Sequence, residues 1–314
     1  MSQPLVSIIC LCYNQAQFVQ RTLESVFNQE YSNLQVIVVD DCSSDNSQEI
    51  IKKVLQDKSD IPFLALNQNV GNTKAFNKGL ELAKGKYVID LACDDILYSD
   101  KISKQVAFFE NQSNQVGLIY SDVRFVDESI NELGWHFQGQ SFRLPYSGEV
   151  YEKVIDTFFI PPQSVMIKRE VFEELGGYDE SLAYEDFDLW VRASRHWYIA
   201  YQGEVLMDVI KHEGSLSNKL YEPNDQQLHS TYKICLKIKD LNRTPSENDA
   251  LVRRLKYEIR HAVFSANHYE AELMGNLLSE IKGLSFSTHI LLFVNKLRVN
   301  LRWFRQLFFR LKYG

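Results

Sequence analysis

The sequence predicts an α/β fold in which a mostly parallel central sheet is flanked by helices, followed by a C-terminal α-helical extension. Short unbroken runs of Val, Ile and Leu, such as Val36–Val39, recur up to Leu91, and amphipathic segments of helix length separate them. Runs without polar alternation are typical of strands buried on both faces, as in parallel sheets. After Tyr221 the strand signals fade and helical periodicity continues to the end.

The first part of the chain alternates strands and helices in the order expected for such a sheet. Each apolar run is followed by a segment with apolar residues at helical spacing. Ligands bind beyond the carboxyl ends of the strands in these sheets, so the residues after each strand are candidates for function. The predicted strands are Leu5–Leu11, Gln35–Val39, Ile61–Leu66 and Tyr87–Leu91, and the predicted helices are Gln17–Gln29, Ser44–Gln56 (capped by Ser44 or Asp45) and Thr73–Ala83.

The middle of the chain is more mixed and completes the first of two predicted domains. We place the boundary near Tyr221–Asn224. Residues 1–220 then form the α/β domain, and residues 221–314 form the helical extension. The elements predicted between them are a helix over Lys101–Asn111, strands over Leu118–Ser121, Val165–Lys168 and Val205–Ile210, a hairpin around Asp127–Gly134, and a helix beginning near Glu185.

The composition is that of a globular protein. Apolar residues make up 45% and charged residues 24% of the 314 residues, which is ordinary for this class. No uncharged apolar stretch reaches the ~18 residues that a membrane-spanning helix needs, and the N-terminus shows no signal-peptide pattern. The five cysteines are irregularly spaced, which fits neither a disulfide framework nor a zinc site. We therefore expect a reducing, cytoplasmic setting.

The end of the chain differs in charge from the rest. Residues 289–314 carry six positive charges, and the whole chain has a net charge of −7, so the residues before 289 carry −13. This acidic balance argues against nucleic acid as the main partner. Leucines and aromatics lie between these basic residues, so we expect residues 289–314 to rest on the inner face of an anionic membrane. Packing on the rest of the protein or on a second subunit is the alternative. The segment has no acidic residue, and its basic residues are Lys296, Arg298, Arg302, Arg305, Arg310 and Lys312.

Two pairs of adjacent aspartates follow predicted strands. Asp40 and Asp41 precede a helix, where carboxylates can accept hydrogen bonds from a nucleobase or ribose, or can simply complement the helix dipole. Asp94 and Asp95 follow the fourth strand. Neighbouring carboxylates repel each other unless a cation offsets their charge. A hard divalent ion is one explanation of the second pair, and a solvated acidic turn is the other.

Two further polar clusters occur later in the chain. Gly176 and Gly177 permit a tight turn, and Glu185 and Asp186 stand where a helix should begin. One of these carboxylates could take a proton from an acceptor hydroxyl, or both could serve only as helix-terminal residues. His212 follows a predicted strand, and a lone histidine can be either structural or functional.

The ordered set of motifs resembles the inverting glycosyltransferase family 2, which has the GT-A fold, over roughly Pro4 to Ser217. The resemblance implies a Rossmann-related, GT-A-like catalytic domain over residues 1–220. The matching segments are Tyr13-Asn14 (the YN loop), Asp40–Asp45 (DDxSxD), Asn69–Gly71 with Asn77–Gly79 (NxG…N.G), and Gly176–Glu180 followed by Glu185–Trp190 (GGFDE…EDxDLW).

The resemblance also implies a role for each cluster. Asp186 would be the catalytic base, with Glu185 beside it. A single displacement would transfer the sugar, with inversion, from a UDP-sugar to a glycan or lipid-linked acceptor in bacterial surface polysaccharide synthesis. Mn²⁺ or Mg²⁺ would stabilise the departing diphosphate. The implied metal residues are Asp95, Asp94 and His212, the donor nucleotide residues are Tyr13, Asn14, Asp41, Asn69, Lys74 and Asp94, and the acceptor-side residues are Trp190 and Gln163.

The sequence departs from the family pattern at two positions. Ala92 stands where many members carry an aspartate two residues before the Asp-Asp pair. This leaves open whether Asp94 or Asp95 is the direct metal ligand. Phe76 replaces an arginine that often precedes the second asparagine motif, and we expect Lys74 to supply charge nearby.

Two other functions are compatible with a nucleotide-binding sheet. A nucleotidyltransferase that makes nucleotide sugars is disfavoured, because Cys12–Gln15 lacks the glycine-rich, basic loop of such enzymes. A non-catalytic binding protein on the same fold is disfavoured by the presence of the acidic residues and His212. A dehydrogenase is unsupported, since no GxGxxG follows the first strand.

Overall fold

The computed structural model describes residues 3–140, 144–212, 214 and 221–302. These residues group into two compact units. The first comprises the chain up to Val150 together with Phe159–Ser181 and Asp188–His212; the second comprises Tyr151–Phe158, Leu182–Phe187 and the residues after His212. The predicted domain boundary near residue 220 stays a prediction. The grouping adds that two short segments before this boundary belong with the C-terminal helices.

The first unit is built on one nine-stranded sheet. Its order is β3-β2-β1-β4-β8-β6-β9-β5, and β7 pairs with β6. The pairings β1–β2, β1–β4 and β6–β9 are parallel, and each of them joins six or more residues. The sheet is therefore mostly parallel, as predicted. The strands are β1 (Val6–Cys12), β2 (Leu34–Asp40), β3 (Phe63–Ala65), β4 (Tyr87–Ala92), β5 (Ile96–Leu97), β6 (Val116–Val126), β7 (Glu132–Trp135), β8 (Met166–Lys168) and β9 (Tyr198–Ile210).

The strand predictions are confirmed in position, but two strands are much longer than predicted. β6 and β9 extend well beyond Leu118–Ser121 and Val205–Ile210. Both contain polar residues that are buried, such as Asp122 and Gln202, and these interrupt the apolar pattern on which the predictions rested. The hairpin around Asp127–Gly134 is confirmed as the β6–β7 connection.

Helices cover the sheet and build most of the second unit. Those predicted in the first part of the chain are found, whereas the short helices α5 and α6 were not predicted from sequence. The helices are α1 (Val19–Phe27), α2 (Ser47–Val54), α3 (Asn72–Leu80), α4 (Lys101–Glu110), α5 (Tyr151–Asp156), α6 (Arg169–Leu175), α7 (Asp186–Ser194), α8 (Gln226–Leu241), α9 (Pro245–Phe264), α10 (His268–Ile281) and α11 (Phe286–Lys296), and a short 3-10 helix covers Pro162–Ser164.

The predicted cap of the second helix was wrong. α2 begins at Ser47, preceded by Asn46, which makes no side-chain capping bond. Of the two residues expected to cap it, Ser44 donates its hydroxyl to Asn14 Oδ1 at 3.2 Å, and Asp45 accepts the backbone N–H of Ala16 at 3.0 Å. Asp45 also accepts the N–H of Ser47 at 3.0 Å, so it supports the helix start without being its cap.

The helices of the second unit carry strong local signals. α9 begins with a capping box in which Thr244 and Glu247 bond reciprocally to each other's backbone, and Pro245 fills the first helical position. Its inner face carries a buried ion pair, with Arg254 Nη1 at 3.2 Å from Glu258 Oε1. The Tyr221 hydroxyl also donates to Glu258, at 2.8 Å. None of the helices in the described part of the chain is long and apolar enough to cross a membrane.

Candidate functional site

The carboxyl ends of β1 and β2 hold two of the sequence motifs together. Asn14 adopts a left-handed backbone conformation (φ 52°), and its side-chain oxygen accepts the N–H of Ser44 at 2.7 Å. In return, the Asn14 N–H donates to Ser43 Oγ at 2.9 Å. Tyr13 leaves 48% of its surface exposed. The predicted nucleotide residues Tyr13 and Asn14 therefore lie beside the turn that follows Asp40-Asp41, with an aromatic ring open to a ligand.

Asp41 ties the end of β2 to the start of α3. Its carboxylate is buried, and its two oxygens accept the backbone N–H groups of Val70 and Gly71, each at 2.8 Å. This brings the exposed Asn69 and the half-buried Lys74, in the first turn of α3, to the same sheet edge. Asp41 thus fixes this segment, and its predicted contact with the nucleotide would use the remaining lone pairs.

The structure brings together Asp94 and His212. Nε2 of His212 lies 2.9 Å from Oδ2 of Asp94. The contact arises because β5, just after Asp95, pairs antiparallel with β9 near its end. The His212 ring also packs against Phe18, with ring centroids 4.7 Å apart. A carboxylate and an imidazole at the carboxyl end of β4 are groups that a divalent ion can use.

Asp95 occupies a different environment from Asp94. It is 3% exposed, and its Oδ1 accepts the backbone N–H of Ile210 at 3.2 Å. Burial, together with the charge of Asp94, raises the pKa of Asp95 well above its ordinary value. Asp94 is half-buried. Asp94 is therefore better placed than Asp95 to meet a ligand.

The residues near Asp94 supply only part of the ligand set of a Mn²⁺ or Mg²⁺ ion. Within residues 3–140, 144–212, 214 and 221–302, no three His, Cys, Asp or Glu side chains converge on one point. Protein side chains alone would therefore not enclose an ion here. Ions of this type commonly take one or two carboxylates together with substrate phosphates and water. The pair of Asp94 and His212 fits that arrangement, and the three-residue metal set stays a prediction.

Asp186 and Glu185 lie at the start of α7, in a segment that belongs to the second unit. Oδ1 of Asp186 accepts the N–H of Phe187 at 2.6 Å. Burial, followed by the charge of Glu185, raises the pKa of Asp186 from the ordinary 3.8 to about 8. A carboxyl group with a pKa near the working pH is suited to general acid–base chemistry.

Helix α8 anchors the segment before Asp186. The Tyr184 hydroxyl lies 2.7 Å from Thr231 Oγ1, and the Ala183 N–H donates to Ser230 Oγ at 2.8 Å. Arg254 holds Phe187, the residue after Asp186, because its guanidinium lies over the phenylalanine ring at 4.9 Å from the centroid. Sequence reasoning missed these anchors, because nothing in the pattern of α8 or α9 marks which polar residues face residues 182–187.

The predicted acceptor-side residues lie in the first unit. Trp190 is 4% exposed, and its indole Nε1 has no hydrogen-bond partner among the described residues. Gln163 is half-buried in the short 3-10 helix. The next carbonyl, that of Ser164, accepts bonds from the buried Lys101 at 3.1 Å and from Gln105 at 2.8 Å. These bonds fix the backbone beside Gln163, and its role stays a prediction.

Several motif residues hold the frame of the site. Asn77 donates to the Tyr178 carbonyl at 2.9 Å and accepts the Tyr178 N–H at 3.0 Å. Gly177 has φ +82°, and a Cβ there would lie 2.7 Å from Asn77 Oδ1. Arg192 donates to the Gly177 carbonyl at 3.0 Å and to Asp188 at 2.7 Å. Some residues of the N.G, GG and EDxDLW motifs are therefore needed for the structure around the site, not for contact with a ligand.

Known proteins share this sequence pattern. The family model described as Glycosyl transferase family 2 matches residues 7–176. The chain is 30% identical over 195 residues to an uncharacterised glycosyltransferase of Methanocaldococcus jannaschii, which covers 61% of this chain and 65% of that protein. It is also 37% identical over 111 residues to the Bacillus subtilis glycosyltransferase TuaG, which is named for teichuronic acid biosynthesis. That alignment covers 35% of this chain and 44% of TuaG. The chain thus spans less than two thirds of the length of the first curated relatives it matches.

Solved structures share the fold. The S. aureus protein TarS (residues 1–349), solved in complex with UDP-GlcNAc, superposes with a TM-score of 0.67 at 18% identity, covering 94% of this chain and 88% of that one. The mannosyltransferase PcManGT of Pyrobaculum calidifontis, solved with GDP-Man and Mn²⁺, gives 0.61 at 16% identity, covering 94% and 80%. The predicted GT-A-like fold is confirmed. The chain belongs to glycosyl transferase family 2.

Proposed function

We propose that this protein is a glycosyltransferase that moves a sugar from a nucleotide-sugar donor to a saccharide or lipid-linked acceptor. The observation that carries the proposal is the pairing of Asp94 with His212 at 2.9 Å. It lies at the sheet edge that also bears Asn14 and Asp41, where α/β sheets bind ligands. Family membership supports the reaction class.

The donor is proposed to be a UDP-sugar. TarS was solved with UDP-GlcNAc and PcManGT with GDP-Man, and the sequence resemblance favours UDP. In this proposal the exposed ring of Tyr13 stacks on the nucleobase, with Asn14 and Asp41 beside the ribose. Asn69 and Lys74 stand at the start of α3, where Lys74 offers a positive charge to the diphosphate.

Asp94 and His212 are proposed to hold Mn²⁺ or Mg²⁺ on the diphosphate. When bound, the ion supplies positive charge that stabilises the departing nucleoside diphosphate. PcManGT was solved with Mn²⁺. We assign Asp95 a structural role beside Asp94, because its carboxylate is buried and accepts the backbone N–H of Ile210.

Asp186 is proposed as the base of a single displacement with inversion. It takes the proton of the acceptor hydroxyl, whose oxygen forms the new bond to the anomeric carbon. The bond from that carbon to the diphosphate oxygen breaks, and its electron pair leaves with the nucleotide. Burial, followed by the charge of Glu185, raises the pKa of Asp186 to about 8, so its carboxylate can accept the proton near neutral pH.

The acceptor is proposed to be a growing surface polysaccharide or a lipid-linked precursor of one. TuaG, named for teichuronic acid biosynthesis, is the relative that supports this class. Trp190 and Gln163 are assigned to the acceptor side; the buried indole N–H of Trp190 has no hydrogen-bond partner within the described part of the chain.

Thermal unfolding with UDP, GDP, dTDP and CMP, each with and without Mn²⁺, tests the donor site. A ligand that binds only the folded state raises the midpoint by mass action. We expect one nucleoside diphosphate to raise it only when the metal is present. If none does, a non-catalytic role on this fold takes the place of the proposal. Release of pyrophosphate from a nucleoside triphosphate and a sugar phosphate would instead identify a nucleotidyltransferase.

A further inference from the structure

Helix α11 presents an apolar stripe to solvent. Phe286, Ile290, Phe293 and Leu297 are spaced by four, three and four residues, which places them on one helix face. Their exposed fractions are 83%, 50%, 63% and 60%. Single exposed apolar residues are ordinary on protein surfaces, but a contiguous row of large ones marks a binding surface.

The opposite side of α11 is fixed within the second unit. Asn295 is fully buried. It donates to the His268 carbonyl at 2.9 Å, and its oxygen lies 2.7 Å from His268 Nδ1. Leu292 packs against α10 at Gly275, where an added Cβ would lie 2.7 Å from the leucine. These contacts fix the rotation of α11 about its axis, so the exposed stripe faces away from α10.

Positive charge lies at the end of the same helix. Lys296 is exposed, and Arg298 and Arg302 follow it. Arg298 is 3.7 Å from Glu272 and Arg302 is 2.9 Å from Glu222. All four of these side chains are more than a third exposed, so the pairs are weak and anionic groups can compete for the arginines. The sequence beyond Arg302 adds three basic residues and no acidic one.

We propose that the outward stripe of α11, together with Lys296, Arg298 and Arg302, binds the surface of an anionic phospholipid membrane. The apolar side chains enter the boundary between headgroups and acyl chains, and the basic side chains meet the lipid phosphates. The combination of one apolar row with an acid-free basic end favours a lipid surface over a second protein copy, since a purely apolar interface needs no excess of one charge. The proposal does not depend on the transfer reaction.

Sedimentation of the full chain with phosphatidylcholine vesicles, with and without phosphatidylglycerol, tests this surface. We expect binding only to the anionic vesicles, and its loss at high salt. The double variant Ile290→Glu/Phe293→Glu should reduce the bound fraction at least about tenfold. The matched control is Leu133→Glu, because Leu133 is 59% exposed and belongs to the first compact unit, not to the unit that contains α11; this variant should bind like the wild type. Unchanged thermal midpoints and circular dichroism would show that all variants fold.

Three results would overturn the proposal. One is that the wild type does not bind anionic vesicles. Another is that Ile290→Glu/Phe293→Glu binds normally while removal of residues 303–314 abolishes binding, since the surface would then lie outside α11. The third is that the double variant leaves vesicle binding intact and instead abolishes self-association in sedimentation velocity, because the occupant would then be a second copy of this chain.

Discussion

His212 and Asp94 are in contact at 2.9 Å although they lie 118 positions apart in the chain. The backbone of both is fixed by the sheet, since the Cys93 N–H donates to the Leu11 carbonyl at 2.8 Å and the Lys211 N–H to the Val126 carbonyl at 2.8 Å. Strand pairing therefore brings the backbones of the two residues close to each other. A ligand that needs both would find them already in place.

This arrangement predicts that His212→Gln weakens the response to metal. Loss of a group that holds or orients a metal ion commonly lowers affinity about 10- to 100-fold. The Mn²⁺ concentration that gives half of the nucleotide-dependent thermal shift should therefore rise by that factor. Asp94→Asn should behave in the same way. Asp60→Asn is the control, because Asp60 is exposed.

The same titration separates Asp94 from Asp95. Because an asparagine oxygen can still accept the Ile210 N–H, Asp95→Asn should keep most of the metal response. A metal response that survives Asp94→Asn but is lost in Asp95→Asn would reverse our assignment of the two carboxylates.

The pH dependence of transfer should report the raised pKa of Asp186. A base accepts a proton only when ionised, so kcat is expected to rise with pH up to about 8 and then level off. Glu185→Gln removes a negative neighbour, which should move the rise to lower pH. Glu128→Gln, at an exposed position, should leave the profile unchanged. A flat profile between pH 6 and 9 would argue that another group is the base.

Asp186→Asn should separate activity from stability. Removal of a general base commonly costs about 10²- to 10⁴-fold in rate. The folded protein holds the Asp186 proton more tightly than the unfolded chain, so this carboxyl lowers stability as pH rises from about 4 to 8. Thermal midpoints measured against pH should therefore fall less steeply for Asp186→Asn than for the wild type. A lower midpoint at pH 8 would contradict this.

The adjacent glycines of the turn before Asp179 make a matched pair. Both have left-handed backbones, with φ +76° at Gly176 and +82° at Gly177, but only Gly177 faces a close neighbour. Gly176→Ala should cost about 1–2 kcal/mol for the conformation alone. Gly177→Ala should cost about 1–3 kcal/mol more, because its Cβ would clash with Asn77. Urea unfolding measures both, and equal costs would mean that Asn77 can move aside.

The buried pair of Arg254 and Glu258 predicts a non-additive result. Arg254→Met alone should destabilise the second unit by about 3–5 kcal/mol, since it leaves a buried carboxylate uncompensated. The double variant Arg254→Met/Glu258→Gln removes both charges and keeps an acceptor for Tyr221, so it should regain much of the loss. Urea unfolding of the wild type, both single variants and the double variant completes the cycle. Additive losses would show that the pair is not coupled.

Local pattern was enough to predict the parallel sheet and the C-terminal helices. Apolar runs such as Val36–Val39 and the helical periodicity after Tyr221 are signals that neighbouring residues carry. The order of motifs pointed to Asp94, His212 and Asp186, but the environment of each depends on residues far away in the sequence. That Asp95 bonds to Ile210 and that Asp41 accepts two N–H groups from the start of α3 follow from strand pairing and loop closure, which no local pattern encodes.

Ser230 and Thr231, the α8 residues that hold Ala183 and Tyr184, lie well beyond residue 176, where the family match ends. Exchange of C-terminal helices between relatives would therefore not be neutral. A chimera joined at residue 220 would place the α8 of another protein against the segment that leads to Asp186. We expect the activity of the chimera to depend on whether hydroxyl groups are kept at positions 230 and 231. A substitution in α8 could therefore change the surroundings of Asp186 while every motif residue stays the same.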